Sequence, residues 1–174
     1  GRITRALVRN AEDFGAEQPS ESKTSGNSAQ EVGLAIQTKY KKMKAIPIGE
    51  RLVARRSHIH GWGLFTKIDV MKHDPVVEYM GEVICRAIGD KREKDYEVSG
   101  EGSCYMFRLD LNRIVDATKI GSMARFMNHS CDPNAYARII DVESEKASEK
   151  KIVVIANRNI SAGEEITYGE SSSA

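Results

Sequence analysis

The stretch ARFMNHSCDPNA, Ala124 to Ala135, decides how this chain is read. An apolar run leads into an amide, an imidazole, a hydroxyl and a thiol at consecutive positions: Asn128, His129, Ser130 and Cys131. The chain then turns through Asp132-Pro133-Asn134. A metal site, a Cys–His nucleophile and a cofactor site shaped by backbone are all open at first sight. A zinc site needs about four N or S ligands. Cys131 and His129 supply two at most, and the chain contains no C-x-x-C. A Cys–His nucleophile brings together side chains from distant segments, and no partner is marked for either residue. Taken alone, the stretch supports a cap by Asn128 on the MARFM turn and a β-turn at DPN.

The composition narrows the classes. Of the 174 residues, 26 are Lys or Arg and 25 are Asp or Glu, giving a formal net charge of +1. The length suits one domain with a real core. The charge balance gives no bulk electrostatic case for strong direct nucleic-acid binding. Three cysteines, Cys85, Cys104 and Cys131, cannot close a disulfide set and suit a reducing compartment such as cytosol or nucleus. No apolar run approaches the roughly 18 residues that span a bilayer, so no membrane association is expected. The start, GRITRALVRN, lacks the apolar core of a secretory signal.

Outward from the opening stretch, the chain divides by composition. GRITRALVRN is basic and mildly amphipathic, with Ile3, Leu7 and Val8 able to share a helical face. Gly15 to Glu31 holds no aromatic or large aliphatic residue. Burial cannot offset the entropy of ordering it, so it reads as a flexible linker. Residues 1–31 thus form an arm and linker, and 32–50 a helical lead-in broken at Pro47 and Gly49. From Arg51 the chain is strand-rich: RLVARR, GLFTK, PVVEYMGEVICR bent at Gly81, a hairpin from CYMFRLD into RIVDA, and AYARIIDV with KIVVIANRNI across the charged loop ESEKASEKK. Only Ala87–Val98 and GSMARFMNH read as helices. Many short strands with few short helices predict a mainly β fold of several small sheets.

Two further groups could carry chemistry. In SHIHGWGLF, Gly61 and Gly63 flank Trp62, where glycine lets a backbone approach a ligand or make a tight turn. His58 and His60 alternate and point to opposite faces of an extended chain, a poor spacing for one shared metal. Tyr79, Tyr105 and Tyr168 lie in three separate strand contexts. Spacing alone favours three amphipathic rings at core edges, each with one hydroxyl partner.

HGWGLF, EYMGEVI, DKREKDYE, CYMFRLD, VDATKIGSMARFMNHSCDPNA and GEEITY occur in this order. Together they resemble the SET domain of protein lysine methyltransferases, over about Arg51 to Tyr168. The detail around RSHIHGWGLF, DKREK and CYMFR most resembles the trithorax and COMPASS branch, which methylates lysine 4 of histone H3. The resemblance implies a SET domain over 51–170, followed by a tail at 171–174. It implies small curled β-sheets around a C-terminal pseudoknot, in which the NHS segment passes under a loop formed by the GEEITY strand. S-adenosyl-L-methionine would lie against Ile59, His60 and Trp62. Tyr105, Asn128 and His129 would also hold it. Tyr79 would orient the target amine, and Tyr168 would govern how many methyl groups fit. Implied partners are the histone H3 tail or nucleosome and the WD-repeat and accessory subunits of a COMPASS-like complex in the nucleus. Ala87–Val98 would be mobile and set by those partners.

The chain also departs from the family. Where the family has TYDY, it reads TYGE: Gly169 stands for the aspartate and Glu170 for the second, catalytic tyrosine. The family's C-x-C-x-x-x-x-C run, which binds zinc with the cysteine of NHSC, is absent. Cys131 would be a zinc ligand only with those cysteines. The C-terminus therefore reads as truncated or altered. The departures leave a second reading open, a catalytically weak or inactive SET-fold scaffold that binds cofactor or partners without turnover.

Overall fold

The computed structural model describes residues 27–100, 104–144 and 147–169. Helix α1 (Asn27–Ala45) leads into a single turn, α2 (Ile48–Arg51). Strands β1 (Leu52–Arg56), β2 (Trp62–Thr66), β3 (Pro75–Tyr79) and β4 (Glu82–Cys85) follow, then helix α3 (Arg86–Ser99). Next come β5 (Met106–Arg108), β6 (Arg113–Asp116), a 3-10 turn (Met123–Phe126) and the two-residue strand β7 (Asn128–His129). The chain continues through β8 (Ala135–Glu143) and β9 (Ser148–Ala156) to β10 (Glu165–Tyr168). The expected mainly β architecture of several sheets with few helices is present.

Two sheets carry the molecule. The larger runs β1-β2-β10-β8-β9-β3, with β7 beside β10; the smaller runs β4-β6-β5. Pro75 to Glu78 are all buried in β3, and Ile152 to Ala156 in β9. Such continuous apolar runs belong to strands covered on both faces. One face of the large sheet packs Leu64, Val77, Phe107, Val154, Ile160 and Ile166 into the main core. On the other, α1 buries Tyr40 and Met43 against Ile140, Val153 and Ile155. The Tyr40 hydroxyl donates to the buried Glu78 carboxylate at 2.8 Å, and Lys44 Nζ reaches the same oxygen at 2.9 Å. Burial first, then the Glu78 carboxylate, pushes the Tyr40 hydroxyl well above its usual value.

Gly81 is where the chain leaves one sheet for the other. A Cβ there would overlap the Asp116 backbone, so the bend requires glycine. Alongside the Arg92–Glu82 pair and the packing of Tyr96 on Ile84 and Ile114, a buried carboxylate ties the small sheet to α3. Asp116 is 2 % exposed. It accepts from Arg92 at 3.0 Å, from the Tyr96 hydroxyl at 2.9 Å and from the Thr118 amide at 3.0 Å. Burial alone would raise its pKa, but the Thr118 amide and hydroxyl, Arg92 and Tyr96 outweigh burial and hold it below the ordinary range. Burial and the Asp116 bond together push the Tyr96 hydroxyl up to about 12.

The last strand makes the fold a pseudoknot. β10 pairs antiparallel to β2 through Glu165 and Ile166. Its other half pairs parallel to β7, Thr167 with Asn128 and Tyr168 with His129. The Ser130 amide donates to Tyr168 O at 2.8 Å. Asn134 completes the tie: its side-chain amide donates to Glu165 O at 2.7 Å and its Oδ1 accepts from the Thr167 amide at 2.9 Å. At Gly169 a Cβ would overlap Ser130 O, so only glycine lets these segments lie so close.

Some local expectations are corrected. α1 begins at Asn27, inside the stretch read as linker through Glu31. GSMARFMNH is no helix. It forms one 3-10 turn capped by Ser122, whose hydroxyl accepts from the Ala124 amide, so Asn128 is not the cap. The stretch read as the loop ESEKASEKK is largely strand, with β8 reaching Glu143 and β9 starting at Ser148. Cross-strand pairing of Asp141 with Lys150 and Val142 with Glu149 overrides the weak local β preference of a charged segment. The terminal arm GRITRALVRN, Glu170 and the 171–174 tail lie outside the described residues.

Two outcomes test this framework. A depressed carboxyl gives stability that is present above its unfolded value of ~3.9 and lost as pH falls through the lower folded value. Asp116→Asn should therefore cost about 3 kcal/mol at neutral pH. In urea melts at stepped pH, the gap from wild type should close in acid; a pH-independent gap would contradict the network. Gly169→Ala should destabilise by about 2 kcal/mol through overpacking against Ser130, read from the urea midpoint at unchanged slope.

Candidate active site

The loop from Ser57 to Gly63 is built from below. It closes with the Ser57 amide donating to Gly61 O at 3.0 Å, and Gly61 takes a φ of +47. That positive φ suits glycine. The Asn128 carboxamide then fastens the loop: Nδ2 lies 3.2 Å from His60 O, 3.0 Å from Trp62 O and 2.8 Å from Glu165 Oε1. The Ser57 hydroxyl sits 2.8 Å from both Glu165 oxygens and accepts from the Ile59 amide at 2.9 Å. A Cβ at Gly63 would overlap the Glu165 carboxylate. Gly63 is thus needed to admit Glu165, which ties Ser57 and Asn128 together beneath the loop.

The outer side of the loop is left open. Ile59 is 52 % and Trp62 50 % exposed. His58 and His60 are exposed as well, and Arg56 stacks 4.9 Å over the Trp62 ring. A Cβ on Gly61 would meet no heavy atom within 4 Å. Exposed apolar and aromatic surface beside an open cradle is suited to a flat, partly charged ligand.

Three distant segments bring Tyr79, Tyr105 and Tyr168 into one narrow cleft, completed by Met106, Ala124, Arg125 and Met127. This overturns the expectation, from spacing alone, of three separate rings at core edges. Tyr79 ends β3 and its ring lies 5.6 Å from Phe107. Tyr105 immediately precedes β5, and Arg125 stacks over it at 5.4 Å. Tyr168 ends β10 and is buried. Ser122 holds the Tyr79 strand end in place: its hydroxyl donates to Glu78 O at 2.8 Å and accepts from the Met80 amide at 3.3 Å.

β7 joins loop and cleft. Asn128 turns its side chain to the loop, while exposed His129 meets the Tyr168 ring edge-on at 5.9 Å. Adjacent residues on a strand face opposite ways, so two residues serve two sides. Cys131 is exposed. Among the described residues no group of three or more His, Cys, Asp or Glu is placed to hold a metal. Among them also, no helix is long and apolar enough to cross a membrane.

The sequence reading named Asn128 but missed Ser57, Ser122 and Glu165. The acidic pair in GEEITY was a signal without an address: Glu164 pairs with Arg158 and accepts from Asn134, while Glu165 turns under the loop. Nothing local distinguishes the two. Their alternation on a strand start does, once the buried face is known.

The SET domain family matches residues 61–169. The human protein "Histone-lysine N-methyltransferase SETD1B" is 52 % identical over 113 residues, covering 65 % of this chain and 6 % of that protein. "Histone-lysine N-methyltransferase set-2" of Caenorhabditis elegans is 48 % identical over 113 residues, covering 65 % of this chain and 7 % of its own. "Histone-lysine N-methyltransferase SETD1" of Drosophila melanogaster is 47 % identical over 119 residues, covering 68 % and 7 %. The chain therefore spans less than a tenth of the length of these relatives. The matched segment contains the Asn128 clamp, the three tyrosines and the pseudoknot strand, and by that match the chain belongs to the SET domain family.

Proposed function

We propose that this chain is the methyltransferase domain of a nuclear histone-lysine N-methyltransferase acting on lysine 4 of histone H3. It would work in chromatin with WD-repeat and accessory subunits of a COMPASS-like complex. The carrying observation is the cleft of Tyr79, Tyr105 and Tyr168, joined through β7 to a loop that Asn128 holds open. The names of the human, nematode and fly relatives support the same reading.

The residues fit S-adenosyl-L-methionine. The open cradle beside Gly61 and exposed Ile59, His60 and Trp62 would take it along the backbone, with Tyr105 and His129 flanking. Asn128 would act mainly through the loop, because its amide is engaged with two loop carbonyls and Glu165. When bound, the cofactor supplies an electrophilic methyl group on a sulfonium. Methyl transfer is an in-line displacement that depends on positioning more than on acid–base strength. The aromatic cleft disfavours the ammonium form and so favours a neutral lysine. Tyr79 and Tyr168 hydroxyls would align its lone pair. Zinc would join at Cys131 only with further cysteines.

The full-length protein should transfer labelled methyl to a histone H3 tail peptide, and a peptide with arginine at position 4 should take none. Equal labelling of both peptides would remove the lysine-4 assignment. Cofactor binding without transfer would favour the scaffold reading, consistent with Gly169 standing where the family carries aspartate. Glu165→Gln weakens charge-assisted bonds to Ser57 and Asn128, so the KM for S-adenosyl-L-methionine should rise about tenfold with kcat nearly unchanged. A loss confined to kcat would contradict the role given to Glu165.

A further inference from the structure

A second concavity lies away from the cleft, between the C-terminal half of α1 and β1, β2 and β3. It measures about 180 Å³ and includes Met43, Ile46, Ile68 and Val70 among its apolar lining. Ile46 and Ile68 are 42 % and 40 % exposed, so the apolar surface continues onto the rim. Arg51 and Lys42 also line it.

Arg51 is the unusual member. It is 6 % exposed. Its Nε donates to Ile46 O at 3.1 Å and its Nη1 to Val76 O at 2.7 Å. Among the described residues no carboxylate pairs with it. The two aspartates in the groove are committed elsewhere: Asp74 pairs with Lys39 at 2.7 Å, and Asp69 accepts from the Ala162 amide at 2.8 Å. Burial lowers the Arg51 pKa. A guanidinium carries five N–H donors in a rigid fork. Carbonyls take two here, and among the described residues no carboxylate balances its charge, a costly arrangement in an apolar surround. The missing complement is a carboxylate, which the fork binds in bidentate fashion. The apolar floor beside it calls for a large hydrophobic group attached close by.

We propose that this groove docks a short segment of a partner protein in which a carboxylate side chain stands next to a large apolar residue. The carboxylate meets Arg51 and Lys42, and the apolar side chain fills the floor by Met43 and Val70. Charge complementarity carries the choice of occupant, and the site is independent of the chemistry assigned to the tyrosine cleft.

The test uses the full 174-residue chain with methyl-labelled Ile and Met, observed by NMR. The probe is an array of short peptides with one Asp or Glu beside Leu, Ile, Met or Phe, each paired with its Asn or Gln twin. Acidic members should bind at least about tenfold tighter than their twins. They should shift the methyls of Ile46, Ile68 and Met43 but not those of Met106 or Met127 in the cleft. Lys42→Glu and Ile68→Asp, both at the exposed rim where folding is not at stake, should each weaken binding about tenfold. Arg51→Gln should erase the difference between acid and amide. The proposal is overturned by equal binding of acid and amide, by shifts in the cleft, or by no binding across the array. It is also overturned if binding appears only after removal of residues 1–26. These carry Glu12-Asp13-Phe14, and that result would make the chain's own segment the occupant.

Discussion

Two residue pairs, Thr167 beside Asn128 and Tyr168 beside His129, hold the rest of the molecule in its working form. They bring the end of the chain against a segment far back in sequence, and every element between them must already be in place. The pairing is parallel, the less stable kind per residue, and only two residues long. Its support comes from outside: Ser130 donates to Tyr168 O, Asn134 fastens both Glu165 and Thr167, and Gly169 removes the side chain that would hold the segments apart. A fold built on such non-local contacts closes late, because loop entropy is lost before the contacts compensate.

From that crossing the site follows with little freedom. β10 carries Glu165 to the underside of the loop and Tyr168 to the cleft. β7 carries Asn128 to the first and His129 to the edge of the Tyr168 ring. The loop is fixed by donors beneath it rather than by packing above it. A ligand arriving on its outer face therefore meets a shape already made, and less binding energy goes into ordering the protein. At the cleft, Phe107 beside the Tyr79 ring and the Ser122 bridge to Glu78 and Met80 set the end of β3.

The strands were legible wherever β-branched residues ran together, as in PVVEY and KIVVIA. The hairpin at Asp110 to Arg113 was legible because Asp110 accepts from the Asn112 and Arg113 amides. What escaped local reading was tertiary. The polar run Ser148 to Lys151 pairs as strand because Ile140 to Glu143 lie opposite. Asn128 resembles a cap to any local rule, yet its acceptors lie at His60, Trp62 and Glu165. The meeting of three tyrosines was invisible to spacing. Resemblance of the six motifs pointed to two of the three, Tyr79 and Tyr168, as partners at one amine, with Tyr105 at the cofactor. Ser57 and Glu165 were reachable by neither route, because their role exists only where strands from opposite ends of the domain touch.

The central claim is that the pseudoknot and the Ser57–Gly63 loop are one mechanical unit, coupled through Asn128. Amide hydrogen exchange in wild type and Asn128→Ala measures this directly. The account predicts that Asn128→Ala raises exchange at Ser57 and Ile59, whose amides bond within the loop, and at Ser130, whose amide bonds Tyr168 O, while β8 and β9 stay protected. Unchanged protection at Ser57 and Ile59 in that variant would contradict it.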